Sequence, residues 1–306
     1  MKQKAFYIIF TIGILIAIQS CQGDKNKAVN QLFPHPPDTS NLFVFSSHVT
    51  AEQAATIITE KTLLRNGQER KEGNPKKLQN GFDYRGFHFD NAVLKGTQAQ
   101  ESDFRGNYFR SANCDISDFS YSDFRVGNLE SASFYQASLI GCRFDQASLF
   151  FTHADKALMD YSSFKGANMF GMYGNDASLR HCDFSNALMR EIQFSDADFT
   201  GSTAIKTNFL ASVFVGTKLD SCDLSYTNFV AVSLENATFI NSRIHYAIFQ
   251  GANLVNADFS GADLKGCDFV GAEFRNTLFK GAINIPENLK KHIVNNRYSG
   301  VLYKEQ

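Results

Sequence analysis

Between Tyr84 and Phe279 the chain repeats a short pattern of hydrophobic and polar positions. Every fifth residue over this stretch gives 40 positions: 20 Phe, 10 Leu, three Met, three Ala, and single Tyr, Ile, Cys and Gly. Two residues before each lies a second class of mostly small residues. It includes Ala92, Ala112, Ala132, Ala147, Ala167, Ala187 and Ala252, with Ser, Thr or Cys elsewhere. Asp, Asn or Ser commonly stands between the two, as in Ala252-Asn253-Leu254, Ala257-Asp258-Phe259 and Ala262-Asp263-Leu264. No insertion breaks this register. A helix repeats every 3.6 residues and a strand every two, so neither produces a period of five. Self-similarity of this kind is the signature of a solenoid or array, and it decides the fold before any local propensity does.

The pattern resembles the pentapeptide-repeat family, whose unit is approximately Ala-(Asp/Asn)-(Leu/Phe)-X-X. The resemblance covers Phe82 to Ala282, about two-thirds of the chain. It implies an all-β solenoid, a right-handed quadrilateral β-helix with four pentapeptides per coil. Forty repeats then make about ten coils, and a ladder spacing of about 4.8 Å gives a rod roughly 48 Å long.

Packing supports the same placement. Large apolar residues point inward, and the corner beside each leaves room only for a small partner. Residues twenty apart stack, so one column holds Phe104, Phe124, Phe144, Phe164 and Phe184, and another Phe209, Phe229, Phe249 and Phe269. Each buried large side chain contributes roughly 2 kcal/mol against chain entropy. At Gly174 the large residue is missing, and Met172 at the small position is read as restoring the volume. Ala99, Ala154 and Ala204 have no such compensation and mark thinner or kinked coils.

The rest of the chain divides into an address, a tether and two caps. Lys2 and Lys4 precede an apolar run from Ala5 to Ile18. A membrane-spanning helix needs about 20 apolar residues, so this reads as the core of a secretory signal over residues 1–20. The segment Ile18-Gln19-Ser20-Cys21 resembles a bacterial lipoprotein signal, which implies cleavage before Cys21 and lipidation there. Residues 21–41, with Pro34, Pro36 and Pro37, read as a polar linker. Residues 42–81 read as a small N-terminal α/β cap: a strand from Leu42 to Phe45, then a helix from Ala51 to Leu64 with Thr50 as N-cap. Residues 82–282 are the repeat block. Residues 283–306 read as a C-terminal helical cap opening at Pro286, with Leu289 and Ile293 over the last coil. In gyrase-interacting members of the family a C-terminal element makes a dimer, so a homodimer through this cap is the alternative to capping alone.

Composition narrows the function classes. The chain is 43% hydrophobic and 20% charged, which excludes a disordered tail and a multi-span membrane protein. Its 30 Lys and Arg against 31 Asp and Glu exclude a strongly basic nucleic-acid binder, and no nucleic-acid partner is expected. Phe82 to Gly281 carries 16 basic and 23 acidic residues, which is mildly acidic. Cys142, Cys182, Cys222 and Cys267 occupy small inward positions and Cys114 a large one. The first three share a face two coils apart, roughly 9.6 Å by strand spacing. A disulfide needs Cα atoms within about 7 Å, so these thiols read as buried small hydrophobes.

Candidate chemistry is sparse. The seven histidines show no metal-ligand spacing and no phosphate-cradling loop is present, so no catalytic residue, metal or cofactor is assigned. Asp103, Asp115, Asp118 and Asp123 fall close together in the coil, but Asp before the large residue is the family's structural preference and reads as turn bonding. Asp83, Asp103 and Asp123 stack beside Arg85, Arg105 and Arg125, and the pair inverts at Arg143 and Asp145. That reads as a self-complementing surface ladder. The candidate site is aromatic: Phe150, Phe151, Phe170 and Tyr173, with His153 below Tyr173. Contiguous exposed aromatics mark interaction sites.

These observations favour a non-catalytic, lipid-anchored cell-envelope protein. Its rod presents a rigid surface for protein–protein interaction, with the membrane engaged through the lipid on Cys21 and an envelope protein as partner. The expected location is the outer membrane, facing the periplasm or the surface. The first alternative is a DNA-mimic modulator of gyrase, which conflicts with an export signal and with so weak an acidic balance. The second is a carbohydrate-binding or carbohydrate-processing β-solenoid, which would need an outward carboxylate cluster beside a groove.

Overall fold

The structure, a computed structural model, describes residues 78–290. The signal segment, Cys21, the linker and nearly all of the proposed N-terminal cap lie outside the described residues, as does the chain beyond 290. Within them the architecture is a β-solenoid. Parallel bridges join each central residue of a pentapeptide to the one twenty further on, from Asp83 with Asp103 to Asp263 with Ile283. Because four pentapeptides intervene, four bridge columns run along the unit. We number the faces by their first inward residue: face 1 from Tyr84, face 2 from Phe89, face 3 from Leu94 and face 4 from Ala99.

The backbone hydrogen bonds follow from that register. Phe104 N–H donates to the Asp123 carbonyl at 2.8 Å, Asp123 N–H to Ser102 at 2.9 Å, and Gly106 N–H to Arg125 at 3.0 Å. Ladder bonds thus run between coils, parallel to the long axis of the solenoid. Corners are closed within a coil, as where Asn107 N–H reaches the Phe104 carbonyl at 3.1 Å. The third residue of each such turn has positive φ, +68° at Gly106 and +55° at Glu101, which defines a type II turn. Gly251, Gly261, Gly266 and Gly271 all stand at this corner position. Ile116 and Val126 stand there too, at φ 57° and 52°, a conformation that costs a branched side chain roughly 1–2 kcal/mol. The ladders on either side of each corner impose it.

Inside, the large residues close the core. Tyr84, Phe104, Phe124, Phe144, Phe164 and Phe184 form one face-to-face column with ring centroids 4.8–5.1 Å apart. Phe209, Phe229, Phe249 and Phe269 form another at 4.8–5.0 Å. Sheet spacing sets this distance, so the rings stack because their backbones are held a strand spacing apart. Most polar residues at the small inward position are buried without penalty because they donate to a carbonyl of the preceding coil; Thr227 instead donates to Leu224 of its own coil at 2.7 Å. Ser162 Oγ reaches Leu139 at 2.8 Å, Thr152 Oγ1 reaches Leu129 at 2.9 Å, and Thr217 Oγ1 reaches Phe194 at 2.7 Å.

The gap at Gly174 is filled differently from the sequence reading. A Cβ on Gly174 would lie 2.2 Å from Phe194 Cε1, so the space left by the glycine is taken by a ring from the following coil. Met172 is buried beside it, but it is Phe194 that fills the gap. The ring has moved to do so: its centroid is 6.4 Å from Phe214, more than the 5.1 Å upper limit of the intact columns above. Ala99, Ala154 and Ala204 are buried, and bridges continue through the coils that hold them. No coil is interrupted there. At the far end the chain turns helical at 287–290 after Pro286, whose carbonyl accepts from Leu289 and Lys290 at 3.0 Å, and Leu289 is buried.

Candidate aromatic interaction surface

Phe150 and Phe151 are the second and third residues of a type II turn between Leu149 and Thr152. Thr152 N–H closes it to the Leu149 carbonyl at 3.1 Å, and φ at Phe151 is 52°. One coil later Phe170 and Gly171 occupy the same two positions. Gly171 matters sterically: a Cβ there would sit 2.3 Å from the Phe151 ring. Its absence lets Phe151 lie flat across the next corner. Phe150 and Phe170 stack at 5.1 Å with planes 15° apart, while Phe151 packs edge-on against both at 4.4 and 5.8 Å. The trio predicted from sequence is therefore assembled, with Phe150 and Phe170 half-buried and Phe151 41% exposed.

His153 and Tyr173 form a separate unit around the corner on face 3. They are a bridge pair, stacked at 4.7 Å with planes 2° apart. Among the described residues no ring contact joins this pair to the phenylalanines. Four further aromatic features escaped the sequence reading. Tyr161 stacks on His181 at 5.1 Å, Tyr226 on Tyr246 at 5.3 Å, and His88 on Tyr108 at 4.9 Å. Tyr121, 64% exposed, lies over Gly141 as Phe151 lies over Gly171, and His181 and Tyr246 cover Gly201 and Gly266 in the same way. The signal for the three rings over glycine was available: an aromatic at a corner followed by glycine twenty residues on. Phe151 is thus one instance of a recurring device, and the outward Phe150–Phe170 stack is what sets the patch apart.

The charged surface of face 1 is self-satisfied as the spacing predicts. Asp103 accepts from Arg105 Nε at 2.9 Å and lies 3.2 Å from Arg85 Nε as an ion pair, and Arg125 Nη2 reaches Asp123 at 2.7 Å. Arg143 bridges Asp123 and Asp145, each at 3.8 Å. Asp115 accepts from Ser133 and from Tyr135 N–H, and Asp118 from Ser120 and Gln100. These carboxylates are engaged by protein donors, and no group of three or more potential metal ligands occurs among the described residues. Asp160 on face 4 is the most buried acid of the ion pairs, held by Arg180 at 2.5 Å. Burial alone would raise its carboxyl, but the bonds from Arg180 and Ser178 outweigh it and hold the group below its ordinary value.

All five cysteines of the solenoid are unpaired and buried. Burial pushes the thiols of Cys222 and Cys267 up to about 12 and the other three higher still. Cys142, Cys182 and Cys222 each place Sγ 3.0–3.1 Å from a carbonyl of the preceding coil, the place a serine takes elsewhere.

Family models match the sequence of the solenoid. A model described as Pentapeptide repeats (8 copies) matches residues 88–125, 177–209 and 192–229, and one described as Pentapeptide repeat region matches 212–283. Among solved structures, HetL, a pentapeptide repeat protein involved in heterocyst differentiation regulation in the cyanobacterium Nostoc, is 20% identical. The match covers 76% of this chain and 98% of HetL, with a TM-score of 0.37. A trypsin-treated form of QnrB1, a plasmid-mediated fluoroquinolone resistance protein, is 17% identical over 63% of this chain and 89% of its own, with a TM-score of 0.45. No curated protein matches the sequence.

Proposed function

The chain belongs to the pentapeptide-repeat family, and from that premise we propose that it is a non-catalytic, lipid-anchored protein of the cell envelope. Its β-helix, right-handed with about ten coils and capped by helical segments at both ends, holds a rigid surface at a distance from the membrane. Cys21 carries the lipid and residues 21–41 supply the tether. The partner is another envelope protein, and the patch of Phe150, Phe151, Phe170, Tyr173 and His153 is where it docks.

One observation carries this reading. The interior is closed by stacked rings, while Phe150 and Phe170 stack on the outside, where they add nothing to that core. Apolar rings left at a surface cost free energy that a partner recovers by covering them. The lipoprotein half is carried by the sequence Ile18-Gln19-Ser20-Cys21 after an apolar segment.

Two experiments test the two halves separately. Labelling cells with radioactive palmitate should mark the wild-type chain and leave Cys21→Ala unlabelled; an unlabelled, cytosolic wild type would overturn the anchor and make a DNA-mimic role the next to test. Affinity capture with the folded Phe150→Ala/Phe170→Ala variant should lose a partner that the wild type retains. Full retention of every partner would remove the aromatic patch from the proposal.

A further inference from the structure

The surface that Phe150 and Phe170 open does not end with them. Face 2 changes character along its length. Its first three coils carry Asp90, Arg110 and Glu130 after the inward residue, with Arg110 paired to Asp90 at 2.7 Å. From Phe150 onward each coil places one large apolar side chain outward, either just after the inward residue (Phe150, Phe170, Leu210, Val230 and Val270) or just before it (Leu188 and Ile248). All but Val270 are half-buried against their neighbours in the stack, and Val270 is exposed. The polar residues between them are partly satisfied within the solenoid. Asn168, Asn208 and Asn228 each turn Oδ1 back onto the N–H two residues on, at 3.2, 3.0 and 2.9 Å. Asp268 is engaged by Gln250 at 2.7 Å.

One cation interrupts the ridge. Arg190 stands in the outward column between Phe170 and Leu210. There are nine arginines among the described residues, and eight have a carboxylate within 4 Å. Arg190 is the ninth. Its Nε is buried and has no hydrogen-bond partner. A guanidinium that is desolvated on one side, flanked by apolar side chains and left without a carboxylate is in an unfavourable state, and a carboxylate supplied from outside relieves it. Aromatic residues and arginine together are also what dominate the energetics of protein interfaces.

We infer that the ridge from Phe150 to Val270 on face 2 is a docking surface for a polypeptide segment of another protein, one whose apolar side chains lie along the ridge and whose single carboxylate pairs with Arg190. This rests on the reading of the solenoid as a display surface and gives that surface a length, a direction and a charge. The apolar side chains supply area. The carboxylate sets the register, because sliding the segment by one coil leaves both charges unpaired in apolar surroundings.

The test is selection of a displayed library of random twelve-residue peptides against the full-length protein, followed by affinity measurement with synthetic copies of the winners. Enriched peptides should combine apolar residues with one Asp or Glu. Arg190→Glu should weaken them by roughly tenfold or more, and replacing the peptide's acid by Lys should restore binding to that variant. Leu210→Glu should weaken the same peptides without rescue by the charge swap. Circular dichroism establishes that both variants are folded. Peptides without an acid, or peptides that bind Arg190→Glu as well as wild type, would overturn the inference while leaving a display surface elsewhere on the solenoid. Peptides that bind only after deletion of residues 22–77 would also overturn it, by making the chain's own N-terminal segment the occupant. No enrichment on any face would count against both this inference and the display reading, whereas the palmitate experiment bears on the anchor alone.

Discussion

The Gly174–Phe194 exchange offers a sharp test of how this core is packed. Phe194→Ala removes a ring that serves two positions, its own and the one Gly174 leaves empty. Truncating a buried Phe costs about 3–5 kcal/mol, and the upper part of that range applies where the surroundings cannot collapse. Gly174→Ala in the wild type should cost less than about 1 kcal/mol even though the new Cβ falls 2.2 Å from the ring. The ring has somewhere to go: its 6.4 Å separation from Phe214 leaves more than 1 Å of slack relative to the 5.1 Å reached in intact columns. Gly174 also has no positive φ, so alanine brings no backbone strain there. In the Phe194→Ala background the same methyl enters a void and should stabilise by about 1 kcal/mol, near the value of one buried methylene. The two substitutions therefore couple by roughly 1–2 kcal/mol. Urea unfolding followed by circular dichroism on the four proteins of the cycle measures this. Additive effects, or a loss above 2 kcal/mol for Gly174→Ala alone, would refute the account of a displaced ring filling a glycine gap.

Other outcomes follow from the same geometry. Gly171→Ala combines positive φ with a Cβ 2.3 Å from the Phe151 ring, so it should destabilise by roughly 1–2 kcal/mol in thermal unfolding, with Phe151→Ala relieving the steric part alone. The five solenoid thiols should resist iodoacetamide in the folded protein and all react in guanidinium, as mass spectrometry of the labelled chain will show. Asp160 and Asp183 have carboxyls held below their ordinary values, burial opposing and hydrogen bonds to Arg180, Ser178, Ser185 and Lys165 prevailing. Their contribution to stability is present above the unfolded-state value of about 4 and is lost as pH falls through the lowered folded value. Urea midpoints measured from pH 6 to pH 2 should fall in that acid range, and Asp160→Asn should flatten part of the fall.

Most of the fold was legible because a period of five admits one arrangement in which large, small and polar positions all find suitable surroundings. Column membership, the ion-pair ladder on face 1 and the burial of the cysteines each follow from counting in twenties. Phe194 was not legible: a volume argument within one pentapeptide points to Met172, while the gap is filled along the column from the next coil. Positive φ at Ile116 and Val126 was hidden for a related reason, since the ladder overrides residue preference at a corner. Of the candidate site, the Phe150–Phe170 stack could be read from spacing and the separation of His153 and Tyr173 from it could not. Arg190 gave no local signal at all, because what distinguishes it is a carboxylate that eight other arginines have and it lacks.

The twenty-residue bridge register also limits how such a chain can change in length. Removing five residues would leave every inward and outward position intact but turn the remainder of the solenoid by a quarter coil. Each downstream side chain would move to the neighbouring face. The core would tolerate this as a change of partners among apolar residues, whereas a deletion within the ridge on face 2 would cut it in two. Gain or loss of twenty residues leaves all four faces aligned. Length in this molecule is therefore graded on two scales, five residues for folding and twenty for keeping a surface continuous.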